Sequence, residues 1–375
     1  MAQPGHPTSA QVPLFCAASA AQGLDLPAVL GQVVESQRYV LGPCVQAFEA
    51  AFAQYVGVPH AVGVANGTDA LIIALRGLGV GAGQRVLTVA NAGFYVSTAI
   101  RAVGAEPVYA DVDAQTLNLA PEAVADALAK QPLAAVVVTH LYGQLADVQA
   151  IAALCRDARV PLIEDCAQAH GARRDGRLAG GWGDVGCFSF YPTKNLGALG
   201  DGGALVTADA ALAGRMRALR QYGWGNKYEV ELPGGCNSRL DEMQAAVLSA
   251  KLPLLDAANA QRRVIASRYT AAFARLPVQA PSVGGEDHVA HLYVLRSARR
   301  DALRAHLAER GIASDIHYPV PDHRQPVQAA AYAHVRLPVT EAACGEVLTL
   351  PCFPGMISEQ VDRVIDAVAS FHEQG

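Results

Sequence analysis

The sequence predicts an α/β fold, with a large domain built on a mostly parallel sheet and a smaller α+β domain at its carboxyl end. From residue 60 onward, short apolar runs alternate with helix-like segments, which is typical of crossover units that flank a parallel sheet. The chain has 375 residues, and this length favours a second domain because a single core rarely grows that large. We therefore expect an arm over residues 1–24, a large domain over residues 25–250 and a small domain over residues 251–375.

The periodicity of the apolar residues gives the elements of the large domain. Two helices are expected first, over residues 26–37 and 44–55. Strands are expected over residues 60–65, 85–90, 107–111, 134–139 and 160–164, with helices between them over residues 70–78, 96–103, 121–130 and 147–158. Runs at 185–190 and 204–207 complete the sheet, which leaves room for one antiparallel strand, and an alanine-rich helix follows over residues 208–219.

The small domain is expected to contain helices and strands in turn. A helical stretch over residues 240–276, interrupted at Pro253, leads the chain away from the sheet. A strand over residues 289–295, a helix over 300–310, a strand over 313–318 and a helix over 358–371 follow. His317, Asp322 and His323 share a proline-rich segment, and their spacing indicates a loop instead of a metal site.

Composition narrows the classes of function. Hydrophobic residues make up 51% of the chain and charged residues 17%, and a net charge of −5 without a basic run disfavours nucleic acid and anionic membranes as partners. The eight cysteines form no C-x-x-C pair or metal-like cluster, so we expect reduced thiols and no metal. Residues 1–10 contain no apolar signal core, and no apolar run reaches the ~20 residues of a membrane span. These features predict a cytoplasmic protein.

Lys194 is the first candidate for chemistry. It follows a strand-like run that stops at Pro192, and a glycine-rich segment comes next, so backbone can approach a ligand closely there. Aromatic residues at 188, 190 and 191 provide apolar walls, which lower the pKa of a lysine and make its amine a usable nucleophile. Such an amine can form a Schiff base with a carbonyl substrate or with pyridoxal phosphate. A pyridoxal site also needs a carboxylate for the ring nitrogen and a cradle for the phosphate.

Two upstream segments supply these groups. Asp165 closes a buried strand at its carboxyl end, where α/β proteins bind ligands, and Gln168 follows three residues later. Glu164 is expected to point to the other face of the sheet. Gly67 and Thr68 follow a strand and open a helix, and backbone N–H groups at a helix start bind phosphate. Simpler interpretations remain open, since Asp165 is also suited to cap a loop and Thr68 to begin any helix.

Four further residues are candidates with open alternatives. Tyr95 at the end of a strand is placed to stack on a planar ring or to pack in the core, and Ser189 is placed to donate to a phosphate. Asn237 precedes a long helix, which Asn237 or Ser238 is able to cap. Lys227, in a glycine-flanked loop, is either a solvated lysine or, for a substrate that carries a diphosphate, the cation that binds it.

Taken together, these motifs resemble the DegT/DnrJ/EryC1/StrS family of pyridoxal-phosphate sugar aminotransferases. The resemblance runs from about residue 25 to residue 325. Its pieces are Gly67-Thr68-Asp69-Ala70-Leu71, Asn91-Ala92-Gly93-Phe94-Tyr95, Glu164-Asp165-Cys166-Ala167-Gln168-Ala169-His170-Gly171, the stretch around Lys194, and Gly235-Cys236-Asn237-Ser238-Arg239-Leu240-Asp241-Glu242. It implies the type I aminotransferase (aspartate aminotransferase-like) fold, pyridoxal 5'-phosphate as cofactor, L-glutamate as amino donor and a homodimer with shared active sites.

The resemblance also implies a role for each matching residue. It makes Lys194 the Schiff-base lysine, Asp165 the partner of the ring nitrogen and Tyr95 the stacking ring. Gln168 lies near the ring, while the phosphate is held by Gly67, Thr68, Ser189 and, from the second subunit, Asn237. A sister group of the family has histidine in place of the lysine and dehydrates sugars, and Lys194 argues against that activity.

A finer likeness concerns the substrate. Tyr191-Pro192-Thr193-Lys194 and His317-Tyr318-Pro319 look like the branch that makes 3-amino-sugars. The expected substrate is thus a dTDP- or UDP-linked 3-keto-6-deoxyhexose, for a lipopolysaccharide or antibiotic glycan, contacted by Tyr191, Lys227, His317 and Tyr318. A 4-keto-sugar aminotransferase and a non-catalytic regulatory relative remain as alternatives.

Overall fold

The computed structural model describes residues 11–373 of the chain. Residues 1–10, which belong to the predicted arm and carry the expectation about a signal segment, lie outside the described residues, as do residues 374–375. Within the described part, every helix is too short or too polar to cross a membrane.

The strands and helices alternate through most of the described chain. The strands are β1 (His60–Val64), β2 (Arg85–Val89), β3 (Glu106–Ala110), β4 (Ala135–Thr139), β5 (Leu162–Asp165), β6 (Arg173–Arg174), β7 (Arg177–Leu178), β8 (Val185–Ser189), β9 (Gly203–Thr207), β10 (Tyr293–Arg296) and β11 (Val347–Leu350). The α-helices are α1 (Leu26–Ser36), α2 (Pro43–Val56), α3 (Gly67–Gly77), α4 (Tyr95–Ala102), α5 (Pro121–Lys130), α6 (Val148–Ala158), α7 (Ala210–Leu219), α8 (Glu242–Lys251), α9 (Leu255–Phe273), α10 (Arg300–Glu309), α11 (Pro338–Glu346) and α12 (Ser358–Glu373).

A seven-stranded sheet in the order β1-β9-β8-β5-β4-β2-β3 forms the centre of the molecule. Strands β8, β5, β4, β2 and β3 pair in parallel, while β9 runs antiparallel to both β8 and β1. The expectation of one antiparallel strand is therefore confirmed. The carboxyl ends of β1, β2, β4, β5 and β8 consequently meet along one edge of the sheet, where ligands bind in this class of fold.

Helices cover both faces of this sheet, as the apolar strands require. One face packs against α3, α4 and α7. The other packs against α2 and α8 near β8 and against α5 and α6 near β4. A separate core lies between α9, α10, α12 and the antiparallel pair β10–β11. The division of the chain at residue 250 stays a prediction.

Most predicted elements are confirmed, with ends that move by a few residues. The predicted strand over residues 313–318 is wrong, because there the chain forms only a single bridge between Asp315 and Thr349. Beyond that bridge, the His317 carbonyl accepts a hydrogen bond from the Tyr142 hydroxyl and not from the backbone of a neighbouring strand. The strand that pairs with β10 is β11, which the sequence analysis missed together with α11.

Candidate functional site

A cavity of about 680 Å³ opens at the edge where the parallel strands end. It lies between the starts of α3 and α4, the end of β5 and the segment after β8. Eight of the residues predicted from the sequence line it together: Gly67, Thr68, Tyr95, Asp165, Gln168, Ser189, Tyr191 and Lys194. The topology thus gathers segments that are more than 120 residues apart in the sequence.

Lys194 lies on a tight turn after β8. Its backbone N–H donates to the Tyr191 carbonyl at 2.8 Å. The buried Lys251 ammonium donates to the Gly197 carbonyl at 2.7 Å, which anchors the end of the turn. The Lys194 side chain is half-buried. Burial lowers the pKa of Lys194 to about 8, and the Asp165 carboxylate opposes this shift. A sizeable fraction of the amine is therefore neutral, and nucleophilic, near neutral pH.

Asp165 ends β5 beside Thr139, its neighbour on β4. Its side chain is 6% exposed and is hydrogen-bonded by neutral donors, the Ala167 N–H at 3.1 Å and the Thr139 hydroxyl at 3.3 Å. Burial raises the pKa of Asp165, while the Ala167 N–H and the Lys194 ammonium oppose the rise. A buried carboxylate of this kind gains from a cationic ligand, because the cation offsets the cost of desolvation.

The start of α3 forms an anion cradle beside β8. The Asn66 side chain caps the helix by accepting the Asp69 N–H at 2.8 Å, which leaves the first N–H groups free for a ligand. Gly67 allows β8 to approach, since a β-carbon at this position would lie only 2.6 Å from the Ser189 β-carbon. The Ser189 hydroxyl and the helix start therefore converge on one place.

The remaining wall is formed by Gln168 and two tyrosines. Gln168 accepts the Tyr142 N–H at 2.6 Å and donates to the Tyr318 hydroxyl at 3.2 Å. The rings of Tyr318 and Tyr95 pack edge to face, 6.0 Å apart. Tyr95 remains 52% exposed, so its ring is available to a planar ligand.

The other predicted residues lie outside the lining of this cavity. Tyr318 joins it through Gln168 and Tyr95, whereas His317 lines a second cavity of about 260 Å³, which shares Tyr191 with the first cavity. Lys227 lies in an exposed loop with its ammonium 4.9 Å from the Tyr228 ring. Asn237 is exposed and pairs with Gln221. A single chain therefore does not bring Lys227 or Asn237 into the cavity.

Sequence reasoning missed three residues that support the site: Asn66, Thr139 and Asp322. Asn66 precedes the helix start, which is a readable signal for a cap. Thr139 forms a hydrogen bond with a residue that lies 26 positions further along the chain. Asp322 forms hydrogen bonds with residues that lie more than 200 positions before it. No local sequence pattern therefore identifies either residue.

Glu164 has a different role from Asp165, as its position in the strand predicted. Its buried carboxylate accepts N–H groups from Gly180, Trp182 and Gly183 and contacts the His140 ring at 3.0 Å. Glu164 therefore closes a structural turn on the opposite face of the sheet. It also lies close to His140 and Cys166 in a buried cluster, and the hydrogen bonds of Glu164 explain why its carboxylate is buried there.

Comparison with known families and proteins gives one consistent match. The model of the DegT/DnrJ/EryC1/StrS aminotransferase family matches residues 25–369. The chain is 45% identical over 356 residues to a dTDP-3-amino-3,4,6-trideoxy-alpha-D-glucose transaminase of Streptomyces venezuelae, covering 93% of each protein. It is 41% identical over 340 residues to a UDP-N-acetyl-3-dehydro-alpha-D-glucosamine 3-aminotransferase of Acidithiobacillus ferrooxidans, covering 90% of this chain and 91% of that one. A protein of Geobacillus stearothermophilus named a pleiotropic regulatory protein is 43% identical over 353 residues, covering 93% and 94%.

Solved structures agree with this match. The S. venezuelae protein DesV, in complex with a ketimine intermediate, superposes with a TM-score of 0.91 at 44% identity, covering 97% of this chain and 99% of that one. Bacillus subtilis NtdA, with the cofactor PMP bound, superposes with a TM-score of 0.90 at 28% identity, covering 97% and 86%. The predicted fold class is thereby confirmed.

Proposed function

Because this chain belongs to the DegT/DnrJ/EryC1/StrS aminotransferase family, we propose that it uses pyridoxal 5'-phosphate to move an amino group from L-glutamate to carbon 3 of a nucleotide-linked keto-sugar. The observation that carries the proposal is one cavity that holds a lysine of lowered pKa, a buried carboxylate and an anion cradle at a helix start. These are the three groups that a pyridoxal phosphate site requires.

The residues of the cavity fit this cofactor. Gly67, Thr68 and Ser189 would hold the phosphate, because the helix start leaves N–H groups free and the absence of a β-carbon at Gly67 lets Ser189 lie close to them. Asp165 would hold the ring nitrogen. That nitrogen would give the buried carboxylate a cationic partner, whereas its present hydrogen-bond donors are neutral. Gln168 would contact the ring oxygen, and Tyr95 would cover the ring face.

When bound, the cofactor supplies an electron sink that stabilises negative charge on the carbon that carries the amine. The chain's residues then provide the proton transfers and the electrostatic setting. The Lys194 amine, whose pKa burial lowers to about 8, would take the proton from the substrate carbon and would later release it, so that the amine is regenerated. Asp165 would place its carboxylate against the ring nitrogen, and its negative charge would preserve the electron sink.

The substrate class is proposed on two kinds of support. Relatives that match nearly the whole chain are named as transaminases of dTDP-linked and UDP-linked 3-amino-sugars. Tyr191 lines both cavities, His317 lines the second one and Tyr318 adjoins Gln168, so these side chains are available to hydroxyl groups of the sugar. Lys227 is our candidate for the diphosphate, since an exposed loop ammonium is free to pair with it. A 3-keto-6-deoxyhexose is the substrate that we favour, with a cytoplasmic location.

A regulatory protein without catalytic activity is the second candidate. It is supported by the name of the Geobacillus relative. Against it stands the electrostatic interaction of Lys194 with Asp165, because a binding module has no need for a buried carboxylate near an amine of lowered pKa.

The test is an assay of purified protein with pyridoxal 5'-phosphate, L-glutamate and a panel of dTDP- and UDP-linked sugars that carry the ketone at carbon 3 or carbon 4. We expect one 2-oxoglutarate for each amino-sugar, with NMR of the product showing the amine on carbon 3. Lys194→Ala should abolish turnover. An amine on carbon 4 would contradict the position, and failure with every keto-sugar would favour the regulatory alternative.

A further inference from the structure

The start of α4 is held by a carboxylate from a distant part of the chain. Phe94, the residue before the helix, has a left-handed backbone with φ of 71° and provides no cap through its own side chain. Asp322 takes this place, since one of its oxygens accepts the Phe94 N–H at 3.0 Å and the other accepts the Ser97 hydroxyl at 2.5 Å. Asp322 is only 1% exposed. A buried carboxylate thus caps the helix that begins with Tyr95.

The segment that carries Asp322 is itself fixed on both sides. The Asp322 N–H donates to the Ala90 carbonyl at 2.7 Å, just after β2. The Gln328 amide donates to the Asp322 carbonyl at 2.6 Å and to the Tyr109 hydroxyl at 2.7 Å, and this hydroxyl also contacts the Ser97 hydroxyl at 2.8 Å. Every polar group of the cluster named here has a partner, so the cluster favours one arrangement.

This arrangement reaches the cavity through two aromatic rings. A β-carbon on Gly93 would lie 2.9 Å from the Tyr95 ring and 3.0 Å from the Tyr318 ring, so the loop before α4 and the segment before Asp322 are in close contact. Tyr318 is held in turn by Gln168. Asp322 is therefore the buried link between the two segments that present Tyr95 and Tyr318 to the cavity.

We propose that Asp322 is a positioning residue, which holds the loop before α4 so that the Tyr95 ring covers the face of the bound cofactor. The inference rests on the proposed function, because it is that proposal which gives Tyr95 a ring to cover. A cap that served stability alone would not require burial of a carboxylate among neutral donors, which is costly. Burial raises the pKa of Asp322 to about 7, which reflects this cost.

A double-mutant cycle on the affinity for pyridoxal 5'-phosphate tests the inference. We expect Tyr95→Ala and Asp322→Asn each to raise the Kd roughly tenfold, equivalent to about 1.4 kcal/mol. In the Tyr95→Ala background, Asp322→Asn should change the Kd less than about twofold, because the ring that it positions is gone. Fluorescence titration of the cofactor-free protein measures all four values.

Asp111→Asn is the matched control. The Asp111 carboxylate also caps a distant helix, accepting N–H groups of Val339 and Thr340 at 2.9 and 2.8 Å, but it does not line the cavity. This variant should lower the thermal midpoint and leave the Kd unchanged. If Asp322→Asn does not fold, Ser97→Ala removes one of the two hydrogen bonds and takes its place in the cycle.

The outcomes separate the two proposals. An equal effect of Asp322→Asn in both backgrounds, or no effect in either, would overturn the positioning role while Tyr95 keeps its own. An unchanged Kd for Tyr95→Ala would instead remove Tyr95 from the proposed cofactor site, and the inference would fall with it.

Discussion

At the scale of the residue, the reactivity of the site follows from where Lys194 and Asp165 are buried. Burial lowers the pKa of Lys194 to about 8, and the Asp165 carboxylate limits this shift. The neutral amine is the form that attacks a carbonyl. Below pH 8 the rate at which cofactor-free protein captures pyridoxal 5'-phosphate should therefore rise about tenfold per pH unit, and it should level off above pH 8.

Replacement of Asp165 sharpens this prediction. Since the Asp165 carboxylate raises the pKa of Lys194, the variant Asp165→Asn should shift the midpoint of the profile to lower pH. Stopped-flow absorbance follows the capture, and an N-acetyl-lysine amide under the same conditions corrects for titration of the cofactor. A rate in the native protein that continues to rise up to pH 10 would show that the amine titrates as an ordinary lysine, contrary to the prediction.

At the scale of the element, close packing of α3 against β8 shapes the anion cradle. A β-carbon on Gly67 would come within 2.6 Å of the Ser189 β-carbon, so Gly67→Ala must push the helix start and the strand end apart. Overpacking of this kind costs about 1–3 kcal/mol. We expect the Kd for pyridoxal 5'-phosphate to rise by roughly tenfold to a hundredfold, as measured by equilibrium dialysis.

Gly214→Ala is the control for this change. Gly214 lies within α7, and no atom outside the helix's own backbone and its chain neighbours lies within 4 Å of an added β-carbon. Alanine should therefore leave the cofactor affinity unchanged and increase the free energy of unfolding by about 0.5–1 kcal/mol. Equal cofactor affinities in the two variants would contradict the importance of the contact between α3 and β8.

How far the sequence predicts these elements depends on how local their causes are. The strand before Asp165 and the helix that starts at Pro121 follow from apolar periodicity and proline, and both were predicted. The short strand β11 is an antiparallel partner of β10 that lies about 50 residues further along the chain, so its pairing is a tertiary contact. The support that Thr139 and Asp322 give to the cavity is tertiary in the same way.

At the scale of the whole molecule, one chain leaves part of the predicted site unused. Asn237 is exposed and absent from the lining of the cavity, although it lies within the residues that the family model matches. The nearby loop exposes Tyr222, Tyr228 and Val230 by 40%, 75% and 65%. Exposed apolar groups that cluster in this way mark a contact surface. We propose a homodimer that covers this loop and places Asn237 in the cavity of the other subunit, which would account for both features.

Mixing two inactive variants tests this arrangement. Lys194→Ala removes the amine, and Asn237→Ala should raise the Kd for pyridoxal 5'-phosphate enough to silence the protein at limiting cofactor. If the two residues of a site come from different subunits, a heterodimer of the variants contains one intact site and one site with both defects. Its activity should then approach half that of the native dimer.

Differently tagged subunits, isolated by two affinity steps and verified by native mass spectrometry, provide the heterodimer, with each variant homodimer as control. If both residues come from the same subunit, every site in the heterodimer has one defect, and absence of recovered activity would exclude the shared site.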